Sequence, residues 1–423
     1  MAPSITEPTS PRGASASIPS TKALKLKDLN PFRTLVPLLT NPEITYLNAS
    51  FSPPANHITA SAITRFVSEA LYTPNPKPGW LATANELRSL LAEYIHAPAS
   101  SIALTRDTTE GLNSFIRGLD IKKGDNVVIL DTEHPNHAYA WMALREEKGV
   151  KVRQVPTIAE AGRTGRVVVA TAETFAPYVD ERTVAIGLSS IMFHNGQWNE
   201  VQGICDAFRP RGIHVLVDVT QQVGFAGVDV TKLGVSAAVF SMHKGLHAPT
   251  GLAALYVAPS VIESVDPRPP IVGFGAVKDA RGDLLVDGGE MVYHGDARRY
   301  EHLNLSLVGC VAAKAYLEFY LRTMGVENVM EHLYGLGDVL RRECGRLGLN
   351  VVGPEGREGH APHLYVLDLK SGRWLEHLTG EGFYVSQYRL GIRVSFGFYN
   401  NVQDVERLAL ALEKGIANGI PMP

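Results

Sequence analysis

Six short runs, Asn126 to Leu130, Val150 to Val155, Val184 to Ser189, Ile213 to Val217, Ala237 to Phe240 and Leu252 to Val257, recur with helix-length intervals between them. Several are apolar throughout instead of alternating. A strand with one wet face alternates, so unbroken apolar runs predict strands covered on both faces: a mainly parallel sheet between helix layers. Such sheets bind ligands at the carboxyl ends of their strands. The residues that follow each run are therefore the first candidates for function.

The rest of the chain is compatible with a large enzyme-sized fold. Its 423 residues, 45% hydrophobic and 20% charged, can bury a large core and suggest two domains or one with an appendage. A formal net charge of -3 gives no overall field to attract nucleic acid or an anionic membrane. No run approaches the roughly 18 apolar residues of a membrane span, so the expected partner is a small molecule. The cysteines Cys205, Cys310 and Cys344 are odd in number and far apart, which suggests neither a disulfide framework nor a zinc knuckle and fits a reducing, cytoplasmic setting. Residues 1–22, rich in Ser, Pro, Thr and Ala and without an apolar core segment, read as a disordered tail.

Residues 23–295 read as the large domain, with 23–50 reaching the small domain or the active site. Within that segment Ile44 to Leu47 reads as extended and leads into the polar turn Asn48-Ala49-Ser50. A Pro/Gly-rich stretch from Asp266 to Gly289 interrupts the strand pattern, and a long helix from about Leu305 to Met324 opens the smaller domain, 296–423.

Chemistry gathers where the strands end. Ser241-Met242-His243-Lys244-Gly245 closes one run, and Asp218 closes another. A lysine beside a hydroxyl and an imidazole, with a carboxylate at a second strand end, is the set that pyridoxal 5'-phosphate requires. The amine forms a Schiff base with the aldehyde, and the carboxylate keeps the pyridine nitrogen protonated so that the ring accepts electrons. A surface lysine and a strand-end aspartate are the plain alternative. Thr105 to Gly111 follows a strand and enters a helix, so Thr108 and Thr109 can donate to a phosphate at the helix start; capping alone would also place Thr and Asp there. His134, just past the run ending at Leu130, can lie against a pyridine ring, or be a structural hydrogen bonder. Gln221 can reach the cofactor's phenolic oxygen, and Ser241 and His243 its phosphate. Arg393, in a short apolar run, can grip a substrate carboxylate with two parallel hydrogen bonds, or be a solvated edge charge. Asn48 is the second candidate for substrate binding.

Four stretches, Arg106 to Asn113, Asp218 to Gln221, Ser241 to Gly251 and Arg393 to Asn400 with Asp404, resemble the class V aminotransferase and cysteine desulfurase superfamily of fold type I pyridoxal-phosphate enzymes. The resemblance runs from about residue 44 to 414. It implies a large α/β domain with a mainly parallel seven-stranded sheet flanked by helices, a smaller C-terminal α+β domain, and a homodimer with active sites at the interface. It also implies Lys244 as the Schiff-base lysine, Asp218 as the ring-nitrogen partner, Gln221 at the phenolic oxygen, His134 stacked on the ring, Thr108, Ser241 and His243 on the phosphate, and Arg393 on the substrate carboxylate.

The departures narrow the activity. Desulfurases of this kind carry a cysteine shortly before the terminal arginine, and Gly382 to Leu390 contains none. Where many members have Glu-x-Gly-Thr this chain has Glu301-His302-Leu303-Asn304, which makes Asn304 the candidate for the contact a partner subunit usually supplies. That segment and Glu133-His134-Pro135-Asn136 resemble the isopenicillin N epimerase-like branch. The expected activity is on an amino acid or amino-acid-derived metabolite through an external aldimine and quinonoid carbanion, as a lyase, epimerase or carbon-carbon bond-forming (aldol or Mannich-type cyclase) catalyst of specialised metabolism. The alternative is a true aminotransferase, ahead of a C-S lyase, a desulfurase or a cofactor-free scaffold.

Overall fold

The computed structural model describes residues 26–264, 268–278, 280, 291–302 and 304–422; the N-terminal tail and half of the Pro/Gly-rich stretch lie outside the described residues. The first strand, β1 (Thr45–Tyr46), is followed by seven that form the large sheet. These are β2 (Ile102–Thr105), β3 (Asn126–Leu130), β4 (Lys151–Val155), β5 (Thr183–Ser189), β6 (His214–Asp218), β7 (Ala237–Ser241) and β8 (Ala253–Val257). Every residue of β2, β3, β7 and β8 is buried, as runs without alternation require.

The spatial order is β2-β8-β7-β6-β5-β3-β4. Strands β4, β3, β5, β6 and β7 are parallel, and β8 is antiparallel to both β7 and β2. Strand β2 therefore runs in the same direction as β7, and the carboxyl ends of all but β8 face one edge. In neighbouring strands Ser189 is paired with Asp218, and the end of β7 is Ser241. The sheet thus delivers three polar residues, one from each of β5, β6 and β7, to adjoining points on that edge.

A four-stranded antiparallel sheet, in the order β12-β13-β10-β9, is formed by β9 (Val351–Val352), β10 (Leu364–Leu367), β12 (Ser386–Tyr388) and β13 (Gly391–Ser395). Helix Val326–Arg346 packs on Val402–Ala417 beside it. The remaining strand, β11 (Phe383–Tyr384), pairs in parallel with β1. Asn48 bridges to Ser395, and Ser50 N–H donates to Ser395 Oγ (2.9 Å), so the N-terminal segment is fastened along the small sheet. The helix read from Leu305 to Met324 is an α-helix over Leu307–Phe319 that ends in a π-turn, Tyr320–Met324. It packs on helices His57–Tyr72 and Lys77–Tyr94, and so lies within the helix layer next to β2 before the chain enters the small sheet.

Candidate active site

The carboxyl edge of the large sheet opens into a cavity of about 290 Å³ that meets β13 of the small sheet on its other side. Thr108, His134, Asp218, Gln221, Ser241, His243, Lys244 and Arg393, eight of the residues singled out from sequence, line it.

Lys244 follows β7 in an irregular turn held by two glycines. A Cβ on Gly245 would stand 2.2 Å from the Val223 carbonyl oxygen, and one on Gly224, where φ is +81°, 2.3 Å from the Gly245 carbonyl carbon. Only glycine fits where backbones approach so closely. Burial pushes the Lys244 ammonium down to about 8; the negative charge of Asp218 opposes that shift and the positive charge of Arg393 adds to it. Asp218 Oδ1 accepts from the Thr220 N–H (2.8 Å), and Thr220 Oγ1 accepts from the Ser241 N–H (3.2 Å), which locks β6 to β7 where both end.

Three elements supply groups suited to a phosphate. Thr108 starts helix Thr108–Arg117, whose first N–H groups have no acceptor within the helix. The Ser241 hydroxyl is buried without a hydrogen-bond partner among the described residues. His243 is pushed down to about 4 by burial and by Lys244, so it is a neutral donor at neutral pH. On the opposite side His134 caps helix Pro135–Lys148, its Nδ1 accepting from the Asn136 N–H (3.2 Å). Its ring meets Phe193 edge to face at 5.0 Å. Burial lowers its pKa as well. Gln221 donates an amide hydrogen to the Ser50 carbonyl (3.1 Å), and its Oε1 lies 3.4 Å from His363 Nε2.

Arg393 is almost wholly buried, at 1% exposure, yet has no carboxylate partner among the described residues. Nη1 donates to the Phe193 carbonyl (2.8 Å), Nη2 lies 3.4 Å from Asn48 Oδ1, Nε is unpartnered, and the guanidinium rests 4.6 Å from the Tyr388 ring centroid. Burial pushes its pKa down to about 10, still cationic at neutral pH. A buried cation without an anion is costly unless a ligand completes it. An amino-acid carboxylate has the shape and charge to do so.

Three candidates stand elsewhere. Asn48 touches Arg393 and accepts from the Ser386 hydroxyl (2.9 Å), so it positions the arginine from behind the cavity wall. Thr109 turns to a surface groove beside Arg106 and Ile271, because consecutive helix residues point about 100° apart. Asn304 is exposed, 3.5 Å from Lys77 Nζ, and is not part of this chain's cavity. Its neighbour Glu301 has a structural task, pairing with buried Arg88 (2.7 Å) and accepting from the Leu104 N–H. Sequence reasoning missed Ser50, Phe51, Asn136, Ser189, Ile191, Phe193, Thr220 and Tyr388. Ser189 and Thr220 were reachable, since each adjoins a strand end. Phe193 and Tyr388 arrive from loops with no local signal.

The donor set fits pyridoxal phosphate: an amine of lowered pKa, a carboxylate at a strand end, an unpartnered hydroxyl beside a helix start, and an imidazole on the facing side. The family model for class-V aminotransferases matches residues 79–353. An uncharacterized aminotransferase of Schizosaccharomyces pombe is 48% identical over 392 residues, 92% of this chain and 96% of that protein. A probable cysteine desulfurase of Methanothermobacter thermautotrophicus is 28% identical, covering 70% of this chain and 71% of its own. Among solved structures, the apo cysteine desulfurase of Thermococcus onnurineus superposes with a TM-score of 0.78 at 20% identity, covering 91% of this chain and 97% of its own. The cystine C-S lyase C-DES does so with a TM-score of 0.79 at 20% identity, covering 89% and 98%. At such identities these two likenesses speak for the fold alone, fold type I, while the model match and the yeast relative carry the assignment. The chain belongs to the class V aminotransferase family of pyridoxal-phosphate-dependent enzymes.

Proposed function

We propose that the protein acts on an α-amino acid or a metabolite derived from one, as a lyase, an epimerase or a carbon-carbon bond-forming catalyst. The observation that carries this reading is Arg393, a buried guanidinium with no carboxylate partner among the described residues, in one cavity with Lys244 and Asp218. When bound, pyridoxal phosphate supplies an aldehyde for imine formation and a ring that accepts electrons from the substrate's α-carbon. Lys244 would be the amine that holds the aldehyde, and as a free amine it would be placed to move a proton at the substrate's α-carbon. Its pKa near 8 lets it serve as acid and base around neutral pH. Asp218 holds the proton on the ring nitrogen, Gln221 contacts the phenolic oxygen, and His134 covers a ring face. Thr108, Ser241 and His243 hold the phosphate.

Desulfuration by a cysteine of this chain is disfavoured, since all three cysteines are buried and none lines the cavity. Transamination is the second reading, supported by the description of the 48%-identical yeast relative as an aminotransferase. A homodimer is part of the proposal. Val67 and Leu71, one turn apart on helix His57–Tyr72, are 49% and 67% exposed and supply an apolar face for it. Among the described residues no helix is long and apolar enough to cross a membrane.

The test is to load the protein with pyridoxal phosphate, verify a borohydride-sensitive band near ~420 nm, and incubate it with each of the twenty amino acids without keto acid. Product released over many turnovers with the cofactor recovered as pyridoxal phosphate is the expected result. Stoichiometric conversion to pyridoxamine phosphate would transfer the assignment to transamination.

A further inference from the structure

On the side facing the small sheet the cavity is bounded by two aromatic rings. Phe193 and Tyr388, whose rings meet edge to face at 5.7 Å, line both this cavity and a second one of about 200 Å³. Ile158, Arg389 and Leu390 line that second cavity and, beyond it, a cleft of about 1040 Å³ beside helix Thr157–Thr164 and β9. Three spaces therefore adjoin in series, with Phe193 and Tyr388 between the first and second and Ile158, Arg389 and Leu390 between the second and the third. A compact amino acid would occupy only the innermost.

The chemistry changes along this path. The first junction is aromatic, and the second carries one guanidinium. Arg389 sits in the turn between β12 and β13, where Tyr388 pairs with Gly391, and it makes no hydrogen bond or ion pair with any described residue. Its charge reaches into the second cavity, because His194 there is pushed down to about 4, first by burial and next by Arg389. The cavity's one carboxylate, Asp131, does not neutralise it. Asp131 accepts from the Thr157 N–H (3.0 Å), the Ile158 N–H (3.1 Å) and the Thr157 hydroxyl at the start of a helix, where backbone donors satisfy an anion. Three residues separate Arg389, in the turn, from Arg393 on β13.

We propose that the substrate is an amino acid with an extended side chain ending in an anionic group, its α-carboxylate on Arg393 and its far end, past the Phe193–Tyr388 pair, on Arg389. This rests on the reading of the cavity as an amino-acid site. The aromatic pair selects for chain length, and Arg389 selects for the terminal charge.

The experiment uses the cofactor-loaded enzyme and pairs of amino acids matched in length: L-2-aminopimelate with L-2-aminoheptanoate, and L-glutamate with L-norvaline. Dissociation constants are read from the change in cofactor absorbance. Wild type should favour 2-aminopimelate over 2-aminoheptanoate by tenfold or more, with a smaller ratio for the five-carbon pair, which is too short to reach. Arg389→Gln should bring the seven-carbon ratio close to one. Equal binding of the seven-carbon pair by wild type, or a preference that survives Arg389→Gln, overturns the proposal while leaving the amino-acid reading intact. If no α-amino acid perturbs the loaded enzyme, the amino-acid reading fails first and this proposal with it. Arg389 is an exposed turn residue, and unchanged thermal unfolding of the variant shows that a lost preference is not a lost fold.

Discussion

The Glu133 carboxylate accepts both the backbone N–H and the hydroxyl of Ser189, at 2.8 and 2.7 Å. Ser189 is in register with Asp218, so these bonds tie the loop that carries His134 to the strand pair that carries Asp218. The carboxylate is fully buried. Burial alone would raise its pKa, but His137 and the Ser189 donors outweigh that and hold it below the ordinary value of 4.5.

Glu133→Met keeps roughly the volume but removes both acceptors, leaving the buried Ser189 N–H and hydroxyl without the partner they have in wild type. The expected cost is ~1–3 kcal/mol, the range for stranding a buried polar group, read by urea denaturation at neutral pH. Because the folded-state pKa is lowered, the charge stabilises the fold above about 4.5 and that contribution is lost as pH falls through the folded value. The gap between wild type and variant should therefore narrow in acid. A gap unchanged from neutral pH to pH ~3 would show that the charge contributes nothing.

Lys244→Ala should abolish turnover while leaving cofactor bound noncovalently, because the groups placed for the phosphate are untouched. In wild type only the uncharged amine attacks an aldehyde. With the ammonium at about 8, capture of pyridoxal phosphate by the apoprotein should accelerate with pH up to about 8 and then level off. An ordinary lysine would go on accelerating to roughly pH 10. Stopped-flow absorbance across that range decides between them.

Arg393→Met removes a buried cation that has no carboxylate partner among the described residues, so the folded chain should tolerate it. Binding of amino acids should weaken by ~2–5 kcal/mol, the loss expected when one partner of a desolvated charge pair is removed. The corresponding amines, which lack the α-carboxylate, should bind wild type and variant alike. Calorimetry on the loaded proteins with an amino acid and its amine compares the two directly, and equal losses for both would take Arg393 away from the carboxylate.

Gly245→Ala should disrupt the lysine turn, since the new methyl meets the Val223 carbonyl and Gly224 Cα, both backbone, at 2.2 and 2.8 Å. Overpacking against backbone costs ~1–3 kcal/mol, and here the strain displaces Lys244. Cofactor capture should slow at least tenfold. Gly227→Ala is the control, as its added carbon would lie 3.6 Å from Val326 Cγ1, an ordinary contact.

The parts legible in sequence were those with a local cause. Runs buried on both faces lose their alternation, so β3, β6 and β7 can be located to within a residue, and with them Asp218, Ser241 and Lys244 at their ends. Arg393 was legible as a type but not as a buried one. Its burial comes from Phe193 and Tyr388, which lie far apart in the chain and meet only when β12 and β13 close on the large sheet. Thr109, one helical residue on from Thr108, lines the groove beside Arg106, a rotation that a run of donors does not reveal. Asn48 stands one layer behind the cavity lining, against the Arg393 guanidinium, a depth that no local pattern encodes.

The cysteines give a test that separates reaction classes. Cys205, Cys310 and Cys344 are buried, and burial raises each thiol to about 12. A persulfide pathway needs an accessible thiolate, since the thiolate and not the thiol is the nucleophile. Iodoacetamide at neutral pH should therefore label the folded enzyme slowly and leave its turnover of the true substrate unchanged. Single Cys→Ala variants should likewise keep their activity, each losing only the packing of a small apolar side chain. Rapid inactivation, prevented by one of these substitutions, would place a cysteine in the chemistry and move the enzyme toward the desulfurases it resembles in fold.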